Sequence, residues 1–350
     1  MKRKAALFIV KRLVPVFLFI FIAIASFGGI LSFIKHQDQL KRQQNSENDT
    51  ISIVTDMQED ILEKLGNLFY IESGVHIKVI HFNEGDVSSG KIEKPDIYLT
   101  SQQNLLKLKK LKKLQPYSSE STDTIFNLFK DQQDFWAGLW IDPIVFAVSS
   151  NFEGKHPNFN YNWTDVMIRD EIKLSLTDFI ATEMSEDFLM SLVEHFGVIE
   201  TFYLLDRGQS HIVQYGKYLS TPARMVGMGK CDIGISSYNE VKKMQKEKIP
   251  MSIIYPTDGV PWYLYGIAIS SNSDSPDKAK QFMNWLLNPA NYKDLMTENG
   301  YQYIFINDIS ENPDSHGKEL TYWDLKKEYD DIGKNELLNQ WMEKIRFGRN

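Results

Sequence analysis

Residues 225–287 constrain the fold more than any other part of this sequence. Their apolar pattern switches between the two-residue period of a strand and the 3.6-residue period of a helix. A short buried strand is expected at 232–235 and a basic helix at 239–246. A strand follows at 251–255, then a Pro/Gly turn, another strand at 263–270, and a helix opened by Ser275 and Pro276. Strands alternating with helices over short connections build a parallel or mixed sheet covered by helices, which is the α/β class.

Upstream the pattern is similar. Residues 51–55 read as a buried strand, and 57–69 as a helix with Ile61, Leu62, Leu65 and Leu68 on one face. A strand is expected at 74–80, and another at 94–101. The next helix packs five Lys into residues 107–113, yet Leu105, Leu108, Leu111 and Leu114 form an apolar stripe. An amphipathic surface helix therefore fits it better than a nucleic-acid or membrane patch. Residues 135–150 are aromatic and then strand-like, 172–178 read as a strand, and 181–197 as a helix with Ser185 as a possible cap. A helix opens at Ser220, Thr221 and Pro222, and a last one spans 336–345.

Several of these pieces carry residue-level motifs. Val226, Met228 and Gly229 precede Asp232-Ile233-Gly234-Ile235, and Tyr255-Pro256-Thr257-Asp258-Gly259 forms a crossover. The helix with Ser275, Pro276, Ala279, Phe282, Trp285, Leu286 and Leu287 comes next. Leu114-Gln115-Pro116-Tyr117 and Trp163-Thr164-Asp165-Val166 lie upstream. As an ordered set these resemble the extracellular solute-binding proteins of ABC importers. The resemblance is to the type 2 periplasmic-binding-protein family, in the branch that holds ferric-iron, aminoethylphosphonate and sugar-phosphate binders. It implies a two-lobed fold with a hinge of two crossovers. Lobe one would hold 51–148 and 262–350, and lobe two 149–261. The sequence departs from the pattern at Lys230, where the family usually has Glu, and at Phe179, where it has Pro.

The N-terminus places that body outside the cytoplasm. Residues 13–34 are uncharged and long enough to span a bilayer, with five basic residues before them in the expected cytoplasmic segment 1–12. Two readings stand: a retained single-pass anchor, or an exported protein after signal cleavage at Ala23-Ile24-Ala25. Residues 35–50 are polar and aperiodic, and read as a tether. The formal net charge is -7, but residues 1–50 are basic, so the remaining body is more acidic than that total. An acidic body argues against a nucleic-acid partner. The one cysteine, Cys231, excludes an intrachain disulfide and reads as a small packed residue.

No nucleophile elbow, zinc-protease helix or phosphate loop occurs, and the seven His lack metal-ligand spacing, so neither an enzyme, a metal site nor a cofactor is expected. Carboxylate pairs such as Glu186-Asp187 read as solvated surface charge. Binding chemistry has better candidates, since ligands of open α/β sheets sit at strand ends facing helix N-termini. Those junctions carry Thr55, Asp56, Thr100, Ser101, Thr177, Asp178, Thr182 and Thr221, although each hydroxyl could serve only as a helix cap.

Arg224 is placed to pair with a phosphate or carboxylate. Trp140 and Trp262 are candidates to stack on a sugar ring, with core packing as the competing role. The resemblance implies two adjacent tyrosines for a ferric-ion binder near Ser237 and Tyr238, and only Tyr238 is present. Glu183 would repel an anion or hold an amine. The expected ligand is a small polar solute such as a sugar phosphate or phosphonate, with its charge open. The expected partner is an ABC permease, or a membrane histidine kinase if the protein is a sensor.

Overall fold

The computed structural model describes residues 49–57, 59–82, 95–311 and 320–348. By contact the chain divides into two units. One takes in 1–50 and 74–76, and the other, residues 51–73 and 77–350, holds both sheets and the cleft. The expected basic segment and the 13–34 anchor lie outside the described residues, as does all but the end of the tether. Among the described residues no helix is long and apolar enough to cross a membrane.

The chain begins with β1 (Thr50–Thr55), α1 (Glu59–Ser73), β2 (His76–His81), β3 (Ile97–Ser101), α2 (Gln102–Lys110) and β4 (Leu114–Gln115). After α3 (Glu120–Asp123) comes the 12-residue β5 (Ala137–Val148), followed by α4 (Ser150–Lys155), α5 (Trp163–Ile168) and β6 (Leu174–Thr177). Then come α6 (Glu183–Phe196), α7 (Val198–Gly208), β7 (Ile212–Gly216), α8 (Thr221–Gly227), β8 (Ile233–Ser237), α9 (Tyr238–Lys246) and β9 (Ser252–Ile254). The last part holds β10 (Trp262–Ser270), α10 (Pro276–Leu286), α11 (Lys293–Glu298), β11 (Ile304–Phe305) and α12 (Asp331–Trp341).

The strand path is β2-β1-β3-β10-β5-β8-β6-β7, with parallel and antiparallel pairs mixed, and it divides into two sheets that share β5. Residues 137–143 of β5 pair with β10, whereas 144–148 pair with β8 and β9. The break falls at Pro143. Proline brings no N–H to a ladder, and here its gap coincides with the change of partner. A second crossing runs from β9 to β10 through Pro256 and Pro261. The result is a mixed α/β fold of two lobes.

All 12 positions of β5 are buried. That is the burial expected of a strand covered on both faces, and it explains why its sequence runs apolar rather than alternating. In the second lobe Val145, Ala147, Ala223, Val226, Cys231 and Val241 form one cluster. Cys231 is 3% exposed, and burial pushes its thiol up to about 12, so it packs as a small apolar residue. In the first lobe Phe69, Phe282 and Trp285 meet ring to ring, with Phe69 and Phe282 at 4.9 Å.

Several expectations need correction. The change of sheet falls between Pro143 and Ile144, ahead of the expected boundary at 148. The C-terminal stretch, expected in lobe one, meets that lobe at Trp262 and Lys107 but packs on elements of the second lobe as well. Trp323 lies against Trp163, Trp341 against Phe179, Lys334 bonds Glu186 at 2.7 Å, and Arg346 bonds Asp178 at 3.1 Å. The sequence there has scattered tryptophans and no long strand, so nothing local shows which sheet they meet. The cap of α6 is Thr182 rather than Ser185, which sits at the third helical position and closes a capping box with it. Asp187 is not solvated: it is 4% exposed and bonds Lys327 Nζ at 2.6 Å.

Gly266 marks a shift of register in β10 after Tyr265. A Cβ there would lie 2.8 Å from the Ala137 carbonyl oxygen and 2.8 Å from Leu105. Because one of the two obstacles is backbone and cannot give way as a side chain can, Gly266→Ala is expected to destabilise the fold by about 1–3 kcal/mol. Urea unfolding followed by circular dichroism checks this, and an unchanged midpoint would contradict it.

Candidate functional site

Where the two sheets meet, a cavity of about 370 Å³ opens. Its first-lobe wall is Asp56 and Met57 just after β1, Asp142 of β5, and Tyr263 and Tyr265 of β10. The second lobe supplies Thr182, Glu183 and Met184 at the start of α6, Leu219, and Ser237, Asn239, Glu240 and Lys243 at the start of α9. Tyr301 and Tyr303 complete the lining.

The tyrosines follow from strand geometry. Residues two apart in a strand point to one face, so Tyr263 and Tyr265 both reach the cavity while Trp262 and Leu264 point away from it. The bulge after Tyr265 re-aims the strand at this point. Asn239 connects the other pair to the floor. Its backbone N–H donates to Asp142 Oδ1 at 2.9 Å, and its side-chain oxygen accepts the Gln302 N–H at 2.7 Å. Gln302 therefore holds Tyr301 and Tyr303, on either side of it, beside α9.

The lining is acidic. Asp142 is 4% exposed, and burial pushes its carboxyl up to about 7, against hydrogen bonds from the Asn239 N–H and the Ser237 side chain. Asp56 is exposed on the cavity side but flanked by protein, and burial raises it too, opposed by bonds from Thr100 at 2.8 Å and Asn104. Burial also holds the Tyr263 and Tyr265 phenols well above their usual range. Glu240 is bonded to Lys243 at 2.8 Å.

Opposed groups close the gap. The Ser101 hydroxyl, at the end of β3, donates to Glu183 Oε1 of α6 at 2.6 Å. Gln103 of α2 donates to Asp187 of α6 at 3.3 Å, and Lys107 pairs with Asp331 at 2.8 Å. Thus α2 of the first lobe is tied to α6 and α12.

Of the sequence candidates, Asp56 and Thr182 line the cavity. Thr100 reaches it through Asp56, and Ser101 through Glu183. Thr55 caps the Met57 N–H at 3.0 Å. Trp140 stands behind the lining, its ring parallel to that of Tyr303 at 5.9 Å, and Trp262 packs on Phe129 and Lys327. Thr177 is buried at the end of β6, and Asp178 is taken up by Arg346. Thr221 packs beside Gly216, Arg224 is exposed on α8, and Tyr238 stacks on Tyr255 in the second-lobe core. Thr177, Asp178, Thr221, Arg224 and Tyr238 do not line the cavity. Tyr263, Tyr265, Tyr301, Tyr303, Asp142 and Asn239 line the cavity without being among the sequence candidates. The doubled Tyr-x-Tyr spacing at 263–265 and 301–303 was the available signal, since it puts two rings on one strand face.

The two lobes share a strand, and a polar cavity is walled by both. Residues 146–319 match the family model described as bacterial extracellular solute-binding protein. The periplasmic binding protein AfuA from Actinobacillus pleuropneumoniae, with fructose-6-phosphate bound, is 18% identical. That alignment covers 85% of this chain and 99% of the other, with a TM-score of 0.66. The Bordetella ferric binding protein is 16% identical over 86% of this chain and 100% of its own, with a TM-score of 0.71. An uncharacterized protein of Haemophilus influenzae is 20% identical, covering 67% of this chain and 71% of that protein. The family match and the shared fold support a type 2 periplasmic solute-binding protein, and the structural neighbours come from the branch with ferric-ion and sugar-phosphate binders.

Proposed function

We propose that this chain is the solute receptor of an ABC-type importer. It captures a small polar solute in the cleft outside the cytoplasm and hands it to a membrane permease, with residues 13–34 holding it at the membrane. The observation that carries the reading is a cavity of about 370 Å³ whose walls come from both lobes. Ser101 and Glu183 bond across the same gap, so lobe motion about Pro143 and the 255–261 crossing would open and shut it. Closing on a solute converts contacts from each lobe into differential affinity for the shut form.

The test is a thermal-shift screen of the full-length chain against sugars, sugar phosphates, phosphonates, amines and ferric citrate. A captured solute at 100 times its dissociation constant adds about 2.7 kcal/mol. Tyr265→Ala, which removes a cavity wall, should abolish that gain. If no solute stabilises the protein, the capture reading is wrong.

A further inference from the structure

We propose that the solute taken by this cleft is an organic ammonium ion, rather than a phosphorylated sugar or an iron complex. The proposal rests on the capture reading and names its substrate class. Among the described residues lining the cavity, Asp56, Asp142, Glu183 and Glu240 are acids and Lys243 is the cation, already bonded to Glu240. Asp56 is hydrogen-bonded by Thr100 and Asn104, and Asp142 by the Asn239 N–H, all neutral donors. Asp142 is buried and Asp56 is exposed to the cavity, and a ligand ammonium would favour the charged form of both. The rings of Tyr263, Tyr265, Tyr301 and Tyr303 line the same space, and aromatic faces attract a cation.

An anion finds the opposite arrangement. Helix N-termini are where such folds hold phosphates. The two long helices that start at this cavity are each met by an acid: α6 has Glu183 as its first residue, and α9 gives the Asn239 N–H to Asp142. A phosphate would meet like charge at both. Arg224, the residue best suited to pair with one, lies on the surface. For ferric ion, buried phenols beside carboxylates resist the deprotonation that coordination requires. Among the described residues, no three His, Cys, Asp or Glu gather closely enough to hold a metal.

Isothermal titration of the full-length chain with putrescine, spermidine and choline, against fructose-6-phosphate, inorganic phosphate and ferric citrate, tests the charge. At least one amine is expected to bind, and the anions are not. Asp56→Asn and Asp142→Asn should each weaken the bound amine about tenfold or more, which corresponds to about 1.4 kcal/mol. If a variant fails to fold, as judged by circular dichroism, the wild-type panel decides alone. Binding of fructose-6-phosphate or phosphate, or a visible iron-tyrosinate absorption with ferric citrate, overturns the ammonium assignment and leaves solute capture intact. Failure of all three amines at about 10 mM also overturns it, and a screen in which nothing binds removes both readings.

Discussion

Replacing Lys327 by Met is expected to cost the folded protein about 3–5 kcal/mol, because it leaves the Asp187 carboxylate buried without its counter-charge. Lys327 is 1% exposed, and its ammonium lies 2.6 Å from Asp187 Oδ2, bonds the Trp262 carbonyl, and sits 4.2 Å from the centre of the Trp262 ring. Around it, Gln103 donates to the Lys327 carbonyl at 3.1 Å, the Tyr329 hydroxyl donates to Asp187 at 3.1 Å, and Glu194 accepts the Lys327 N–H. One residue of the C-terminal stretch thereby ties β10 and α2 of the first lobe to α6 of the second. Burial lowers the lysine's affinity for its proton while Asp187 raises it, so the charge survives only as a pair. The double replacement Lys327→Met with Asp187→Leu should therefore recover most of the loss, which urea midpoints of the three variants would measure. Equal losses in the single and double variants would mean that packing, not charge, holds the stretch.

Solute-free protein is expected to lose stability as pH rises from about 4 to about 7, on the order of 4 kcal/mol from Asp142 alone. Its folded carboxyl titrates at about 7, raised by burial, whereas the unfolded one titrates in the ordinary range near 4. Between those values the native state keeps a proton that the unfolded state has released. Stability therefore falls with rising pH through that window and levels off above it. The charged and titratable groups coupled to Asp142 are Glu240 and Lys243 on α9, with Tyr238, Tyr255, Tyr265 and Tyr303 around them. Asp56 and Asp258, also raised by burial, act in the same direction. Burial of Asp96 is outweighed by hydrogen bonds from Ser273 and Ser52, so it acts below the window and with opposite sign. Asp142→Asn should flatten the slope in a series of urea titrations across pH. A wild-type midpoint that does not move between those pH values would refute the assignment.

The elements were legible where their signals are local. The alternation through 225–287 gave β8, α9, β9, β10 and α10 to within a few residues, and Ser275 with Pro276 opened α10 as expected. Thr100 and Ser101 were singled out as strand-end hydroxyls, and both turn out to hold a cavity acid by a hydrogen bond. Other residues are placed by contacts that the local sequence does not contain. Trp140 and Trp262 were weighed as ligand contacts because large aromatics can stack, but the same size buries them behind Tyr303 and beside Lys327. Asp187 looked like ordinary surface charge because its partner stands 140 residues away.

By itself the sequence determined the α/β class, the identity of most strands and helices and the absence of an intrachain disulfide, because periodicity and cysteine count act through neighbours or through simple number. The tertiary structure alone decided where the C-terminal stretch docks and what charge the cleft presents. Asp56, Asp142, Glu183, Tyr265 and Tyr303 are far apart along the chain and meet only because β5 is shared by two sheets and the lobes face each other across it. Coulomb energy depends on distance in space, and no count of acids along a chain contains that distance.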